Sequence, residues 1–209
     1  MAKIAVTGST GYIGTHLVAR LLKEGHIVYP IDREWPYEPK EVDRIYHLAC
    51  YSSTDFMVNN PLETMDTIFD KTREAMSICP SALFINASSM GATELDVDIY
   101  GQKAYNIAKR SMEVYLEHSG RTYLNYRIPS VYGEDMRNDG FLKRCAEGRA
   151  VPPEDPDRVY YISHIDDVVD SLVKLKPMHI EYTTLGDIYE SFNTGRRGLH
   201  RPTSRQDSI

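Results

Sequence analysis

Two hydrophobic periods alternate along this chain. Lys3-Ile4-Ala5-Val6-Thr7 is a short apolar run that stops at a glycine-bearing turn, the pattern of a buried parallel strand. Ile13, Leu17, Val18, Leu21 and Leu22 then recur on one helical face that ends at Gly25, and His26 to Ile31 reads as a second strand closing on Asp32. Together they form a βαβ unit. Arg33 to Asp43 is polar and carries Pro36 and Pro39, which predicts a loop with no room for a further helix and strand.

Arg44 to Ala49 reads as a third strand, and Asn60-Pro61 opens a helix running to about Ile78. A fourth strand from Ser81 to Ala87 ends in Ser88-Ser89, a long helix covers Tyr100 to His118, and a fifth strand covers Thr122 to Arg127. Beyond Gly133 the pattern loosens. It predicts a short helix around Phe141 to Glu147, a turn over Pro152 to Pro156, a strand near Val159 to Ile162, a helix from Asp166 to Leu175 and a last strand over Asp187 to Phe192. Asn193 to Ile209 reads as a mobile tail. Strand and helix alternate without internal repeat, so the expected fold is α/β, a Rossmann-like doubly wound parallel sheet.

Composition narrows the classes. The chain has 209 residues, 42% of them hydrophobic, enough for one domain with a single core. Thirty acidic against 24 basic residues give a net charge of -6, which argues against nucleic acid or an anionic membrane as partner. No apolar run approaches the ~20 residues of a membrane span, and a strand begins almost at Met1, so a cytoplasmic location is expected. Cys50, Cys79 and Cys145, odd in number and far apart, read as reduced thiols.

The first turn, Thr7-Gly8-Ser9-Thr10-Gly11-Tyr12-Ile13-Gly14, lies between strand and helix. Glycines there bring amides at a helix N-terminus against a pyrophosphate. No Gly-Lys-Ser/Thr follows, which disfavours a triphosphate P-loop. Glycine-rich turns are also ordinary connectors. Asp32, 24 positions after Gly8, shifts the balance, because a carboxylate at that strand end can accept both hydroxyls of an adenosine ribose. It would repel a 2′-phosphate, so NAD is favoured over NADP, with Arg33 placed to soften that repulsion or cover the adenine. The competing reading of Asp32 is a loop-capping carboxylate.

Tyr105 and Lys109 stand at i and i+4 of the long helix, on one face. An ammonium beside a phenol stabilises the phenolate, which suits acid/base work. The pair follows the Ser88-Ser89 strand end, and ligands bind at the carboxyl ends of strands in open α/β sheets. The alternative is an exposed helix pair with serines capping a turn.

Taken in order, the glycine loop, Asp32, His47-Leu48-Ala49, Asn60-Pro61-Leu62-Glu63-Thr64, Ser88-Ser89, Tyr105-x-x-x-Lys109, Arg127-Ile128-Pro129-Ser130-Val131-Tyr132-Gly133 and Ile165-Asp166-Asp167-Val168 resemble an extended short-chain dehydrogenase/reductase of the NAD-dependent epimerase/dehydratase family. The set covers roughly residues 3 to 195. The resemblance implies that Gly8, Gly11 and Gly14, with the backbone of Tyr12 and Ile13, hold the NAD pyrophosphate and that Asp32 binds the ribose. It places Leu48, Ala49, Ile128, Pro129 and Ser130 near the nicotinamide, with Ser89, rather than Ser88, as catalytic serine, Tyr105 as acid/base and Lys109 on the nicotinamide ribose. It implies oxidation at a hydroxyl-bearing carbon, a nucleotide sugar as leading substrate, and a homodimer packed through the helices of residues 60–78 and 100–118. A carbonyl reductase with the same triad and a non-catalytic dinucleotide sensor are the alternatives.

The chain departs from that pattern in places. The adenine side is cut down by the short 33–43 segment, Ser89-Met90-Gly91 stands where 4,6-dehydratases have Thr-Asp-Glu, and no acid/base pair can be assigned among Glu94, Asp96 and Asp98. Dehydration is therefore disfavoured. The expected organisation is one domain over residues 1–195, with minimal substrate-binding elements over about 133–195, giving a reduced C-terminal substrate-binding region. Residues 196–209 form a tail whose Arg196, Arg197, Arg201 and Arg205 read as solvated charges. Neither His nor Cys spacing predicts a metal site, and His164 beside Asp166 and Asp167 reads as a loop histidine at a helix start.

Overall fold

The computed structural model describes residues 1–33, 39, 41–51, 53–93, 95, 102–136, 142–143 and 159–184. Five parallel strands form the main sheet in the order β2 (Ile27–Ile31), β1 (Lys3–Thr7), β3 (Arg44–His47), β4 (Leu83–Ser89), β5 (Tyr123–Ile128). Side chains alternate across it as the strand period requires. Ile4, Val6, Tyr46 and Ile85 face α1 (Tyr12–Lys23) and α5 (Ile165–Lys174), where they meet Leu17, Leu21, Val168 and Leu172. Ala5, Ile45 and Phe84 face the other way, toward Ala75 of α3 (Pro61–Ser77) and Leu116 of α4 (Lys103–Glu117). Helices cover both faces, as the alternation of strand and helix predicted. Pro30 has no amide for a ladder and lies in β2, which pairs on one side with β1 alone.

The registers bring the strands' carboxyl ends into line: Thr7 is level with Ile31 and His47, His47 with Asn86, and Ser89 with Ile128. Gly8, Asp32, Leu48, Met90 and Pro129 therefore leave the sheet along one edge. β3 stops at His47, two residues before its predicted end, because Leu48 and Ala49 turn beneath Gly8. A helix the hydrophobic pattern missed, α2 (Thr54–Asn59), starts at Ser53, whose side chain accepts from the Phe56 amide. A second sheet also went unpredicted: β6 (Ser130–Tyr132) runs parallel to β7 (Val159–His164), which pairs antiparallel with β8 (Glu181–Thr184). The expected turn over Pro152 to Pro156, the strand over 187–192, the tail and all but Leu142 and Lys143 of the expected 141–147 helix lie outside the described residues. No helix among the described residues is long and apolar enough to cross a membrane.

Candidate active site

The glycine turn is built by close approach. Gly8 has φ +69°, and a Cβ on it would lie 2.8 Å from the Ala49 nitrogen; one on Gly14 would lie 2.1 Å from the Gly8 carbonyl oxygen. The Gly8 amide donates to Ile31 O at 3.0 Å and the Gly11 amide to Gly8 O at 3.1 Å. Gly11 caps α1 with no side-chain hydrogen bond, and the first turn, which begins with Tyr12 and Ile13, carries no acidic residue. An uncapped helix start with no acidic residue in its first turn, beside a loop whose Gly8 and Gly11 carry no side chain, has the chemistry to receive a diphosphate.

Asp32 closes this loop itself. Its Oδ2 accepts from Thr10 N at 3.1 Å and Thr10 Oγ1 at 2.7 Å, and its Oδ1 accepts from Arg33 N at 2.8 Å. Partial burial opposes its charge, but these hydrogen bonds and Arg33 prevail and hold the carboxyl below its usual range. The loop-capping alternative is thus present in the geometry, and one acceptor site remains of a carboxylate's roughly four. Arg33 lies 5.2 Å from the Tyr51 ring centre rather than over open space.

His47 was part of a motif but had no assigned task. It is buried, with Nδ1 2.8 Å from Thr7 Oγ1 and Nε2 3.1 Å from Thr72 Oγ1. Thr72 spends its own proton on Ile68 O, so His47 donates from Nε2 and accepts at Nδ1 from Thr7, which in turn accepts from Ala49 N at 3.4 Å. This directional chain ties the Leu48-Ala49 turn to α3. Burial, with help from the Lys109 charge, pushes the His47 pKa down to about 3, so the ring stays neutral.

At the end of β4 the two serines point opposite ways. Ser88 Oγ donates to Glu113 at 2.6 Å, inside a buried carboxylate that also receives two hydrogen bonds from Arg127 and one from Arg110. Ser89 lies on the other side, on the side of the Tyr105 phenol, and its Oγ accepts from Gly91 N at 3.2 Å. Lys109, 4% exposed, donates to Ala87 O at 2.8 Å, and its Nζ lies 5.7 Å from the Tyr105 ring centre. Ser89, Tyr105 and Lys109 therefore meet at the carboxyl edge, near Ile128 and Ser130. Burial pushes the Tyr105 phenol up and outweighs Lys109 and Ser89, which pull it down; the expected lysine effect is present but does not set the net direction.

The chain belongs to the NAD dependent epimerase/dehydratase family. The family model matches residues 4–177. Among curated relatives, UDP-glucuronic acid decarboxylase 3 of Arabidopsis thaliana is 25% identical over an alignment covering 83% of this chain and 66% of the relative. A probable UDP-glucuronate 4-epimerase of Rhizobium meliloti (strain 1021) is also 25% identical, with 81% and 67% covered. The chain thus spans about two thirds of the length of these relatives. The solved structure of MoeE5 in complex with UDP-glucuronic acid and NAD shares the fold, with a TM-score of 0.72 at 20% identity, over 92% of this chain and 81% of that one.

Two further groupings escape sequence spacing in this family member. Asp167, His179 and Glu181 bring ligand atoms within 4.8 Å of one another from α5, the loop after it and β8. Glu181 already accepts from Tyr132 OH, and His179 Nε2 stands 3.8 Å from its Oε1. Tyr12 holds its hydroxyl buried against Gly133 and His164 with no partner among the described residues; burial, then Asp135 and Asp166, push its pKa up to about 12. His164 caps α5 by accepting from Asp166 N.

Proposed function

We propose that this protein oxidises a hydroxyl-bearing carbon of a nucleotide sugar through Ser89, Tyr105 and Lys109, with a UDP-glucuronate-like sugar nucleotide as the leading substrate. The observation that carries this reading is the meeting of a serine hydroxyl, a phenol and a buried ammonium at the edge where the glycine turn also opens. The names of the curated relatives and the ligands of the MoeE5 structure supply the substrate class. NAD, when bound, supplies the hydride acceptor and a positive ring charge. Gly8, Gly11 and Gly14, with the amides of Tyr12 and Ile13, hold its diphosphate; Asp32 offers its remaining acceptor site to the adenosine ribose, with Arg33 nearby. Leu48, Ala49, Ile128 and Ser130 line the other end. Ser89 hydrogen-bonds the reacting sugar oxygen, Tyr105 takes its proton, and Lys109 holds the nicotinamide ribose and favours the phenolate.

Met90 and Gly91 place no acid beside Ser89, which supports epimerisation or a related redox cycle over loss of water. Replacing Tyr105 with Phe, with UDP-glucuronate and NAD as probes, should abolish turnover and leave NAD binding intact; unchanged turnover would refute the assignment. Hydride accounting separates the outcomes: an epimerase regenerates NAD in each cycle, whereas a carbonyl reductase consumes reduced cofactor stoichiometrically.

A further inference from the structure

Glu113 is a buried carboxylate that the chemistry above does not use. It stands on α4 a turn beyond Lys109, and four hydrogen bonds fill its acceptor positions. Oε1 accepts from Ser88 Oγ at 2.6 Å and Arg127 Nε at 2.9 Å, and Oε2 accepts from Arg127 Nη2 and Arg110 Nη1, each at 2.7 Å. Such complete pairing is what a buried charge requires. Arg110 belongs to α4 itself, but Ser88 and Arg127 are partners in the β4–β5 register, and the next pair along is Ser89 and Ile128. The carboxylate therefore holds both strands to the helix one residue before the site.

Two more contacts tie the same strand end to the same helix. Lys109 Nζ donates to Ala87 O at 2.8 Å, and the Asn106 side chain occupies the space where Gly91 would carry a Cβ. Asn106, Lys109 and Glu113 are spaced i, i+3 and i+7, one buried stripe of α4. Ser88 and Ser89 point to opposite faces of the sheet, so Glu113 grips β4 from the face away from Ser89 and leaves the reacting groups unobstructed.

We propose that Glu113 is a positioning residue: by fixing Ser88 and Arg127 to α4 it sets where Ser89 stands relative to Tyr105. This rests on the reading that Ser89 and Tyr105 act on the sugar oxygen. The test is turnover of UDP-glucuronate with NAD by Ser88→Ala, Glu113→Ala and the double variant, with Arg110→Gln as control and NAD binding followed by calorimetry. Each single variant should lower kcat about tenfold, short of the ~100-fold that a full 1 Å misplacement costs, with KM and NAD affinity unchanged. The double variant should lose no more than either single one, since both remove the same tie. The half-maximal pH of kcat should also rise in Ser88→Ala, which alters no charge, because a displaced serine and ammonium stabilise the phenolate less. Arg110→Gln, whose contact stays within α4, should lower stability and leave kcat unchanged. Wild-type kcat in Ser88→Ala, losses that multiply to about 100-fold in the double variant, or an equal loss in Arg110→Gln would overturn this proposal alone. Undiminished turnover by Tyr105→Phe, or none by the wild type, overturns the functional reading as well.

Discussion

Replacing Gly14 with Ala separates steric from propensity effects at the first turn. Alanine is the better helix former by about 1 kcal/mol, so propensity alone predicts a gain in stability. The structure predicts the reverse. The new Cβ would lie 2.1 Å from Gly8 O and 2.9 Å from Ser9 Cα, whereas ordinary contact begins at 3.4 Å. Both neighbours are backbone, so no rotamer change relieves the clash, and α1 must part from the loop by roughly 1 Å. Displacing positioning groups by that much costs about 100-fold, or ~2.7 kcal/mol of NAD binding, together with roughly 1–3 kcal/mol of stability from overpacking. Gly25→Ala is the control: φ is +80° with nothing within 4 Å, so it carries backbone strain alone and should leave NAD affinity unchanged. Calorimetry and urea unfolding read both quantities. Wild-type NAD affinity in Gly14→Ala, or equal loss in Gly25→Ala, would refute the reasoning.

His47 should make stability pH-dependent. Its folded pKa of about 3 lies below the ordinary 6.5, so the unfolded chain binds the proton first. Its contribution is complete above pH 6.5 and falls as pH drops toward 3, by about 2 kcal/mol at pH 5; urea unfolding of His47→Asn should lack this part of the slope. Glu113→Gln keeps size but removes the charge shared by Ser88, Arg110 and Arg127. Both guanidiniums are about two-fifths exposed, so the expected loss is moderate, about 2 kcal/mol, and because the Glu113 carboxyl is held below its usual range this stabilisation should fade as pH falls through the acid range. A homodimer packed through α3 and α4 would cover Leu62, Val114 and Tyr115, which are 75%, 38% and 47% exposed; sedimentation at micromolar concentration should give a dimer, and a monomer would remove the interface.

The first βαβ unit was legible because burial on both faces writes itself as an unbroken apolar run and an amphipathic helix between turns. The elements that escaped have no such signature. Strands β6 and β8 span three and four residues and exist through pairing with β7, while α2 is a six-residue capped helix whose apolar residues, Phe56, Met57 and Val58, are consecutive and show no helical spacing. At the site, spacing placed Tyr105 and Lys109 on one face, and the strand period separates Ser88 from Ser89. The role of Asp32 in closing its own loop and the tautomer of His47 depend on contacts between distant segments, which periodicity does not encode.

The account stands most directly on calorimetric titration of the wild-type chain with oxidised and with reduced NAD. It predicts one molecule bound per chain with measurable heat, sharply weakened in Gly14→Ala and preserved in Tyr105→Phe. Absence of heat with both forms of the coenzyme, or full binding by Gly14→Ala, would contradict it.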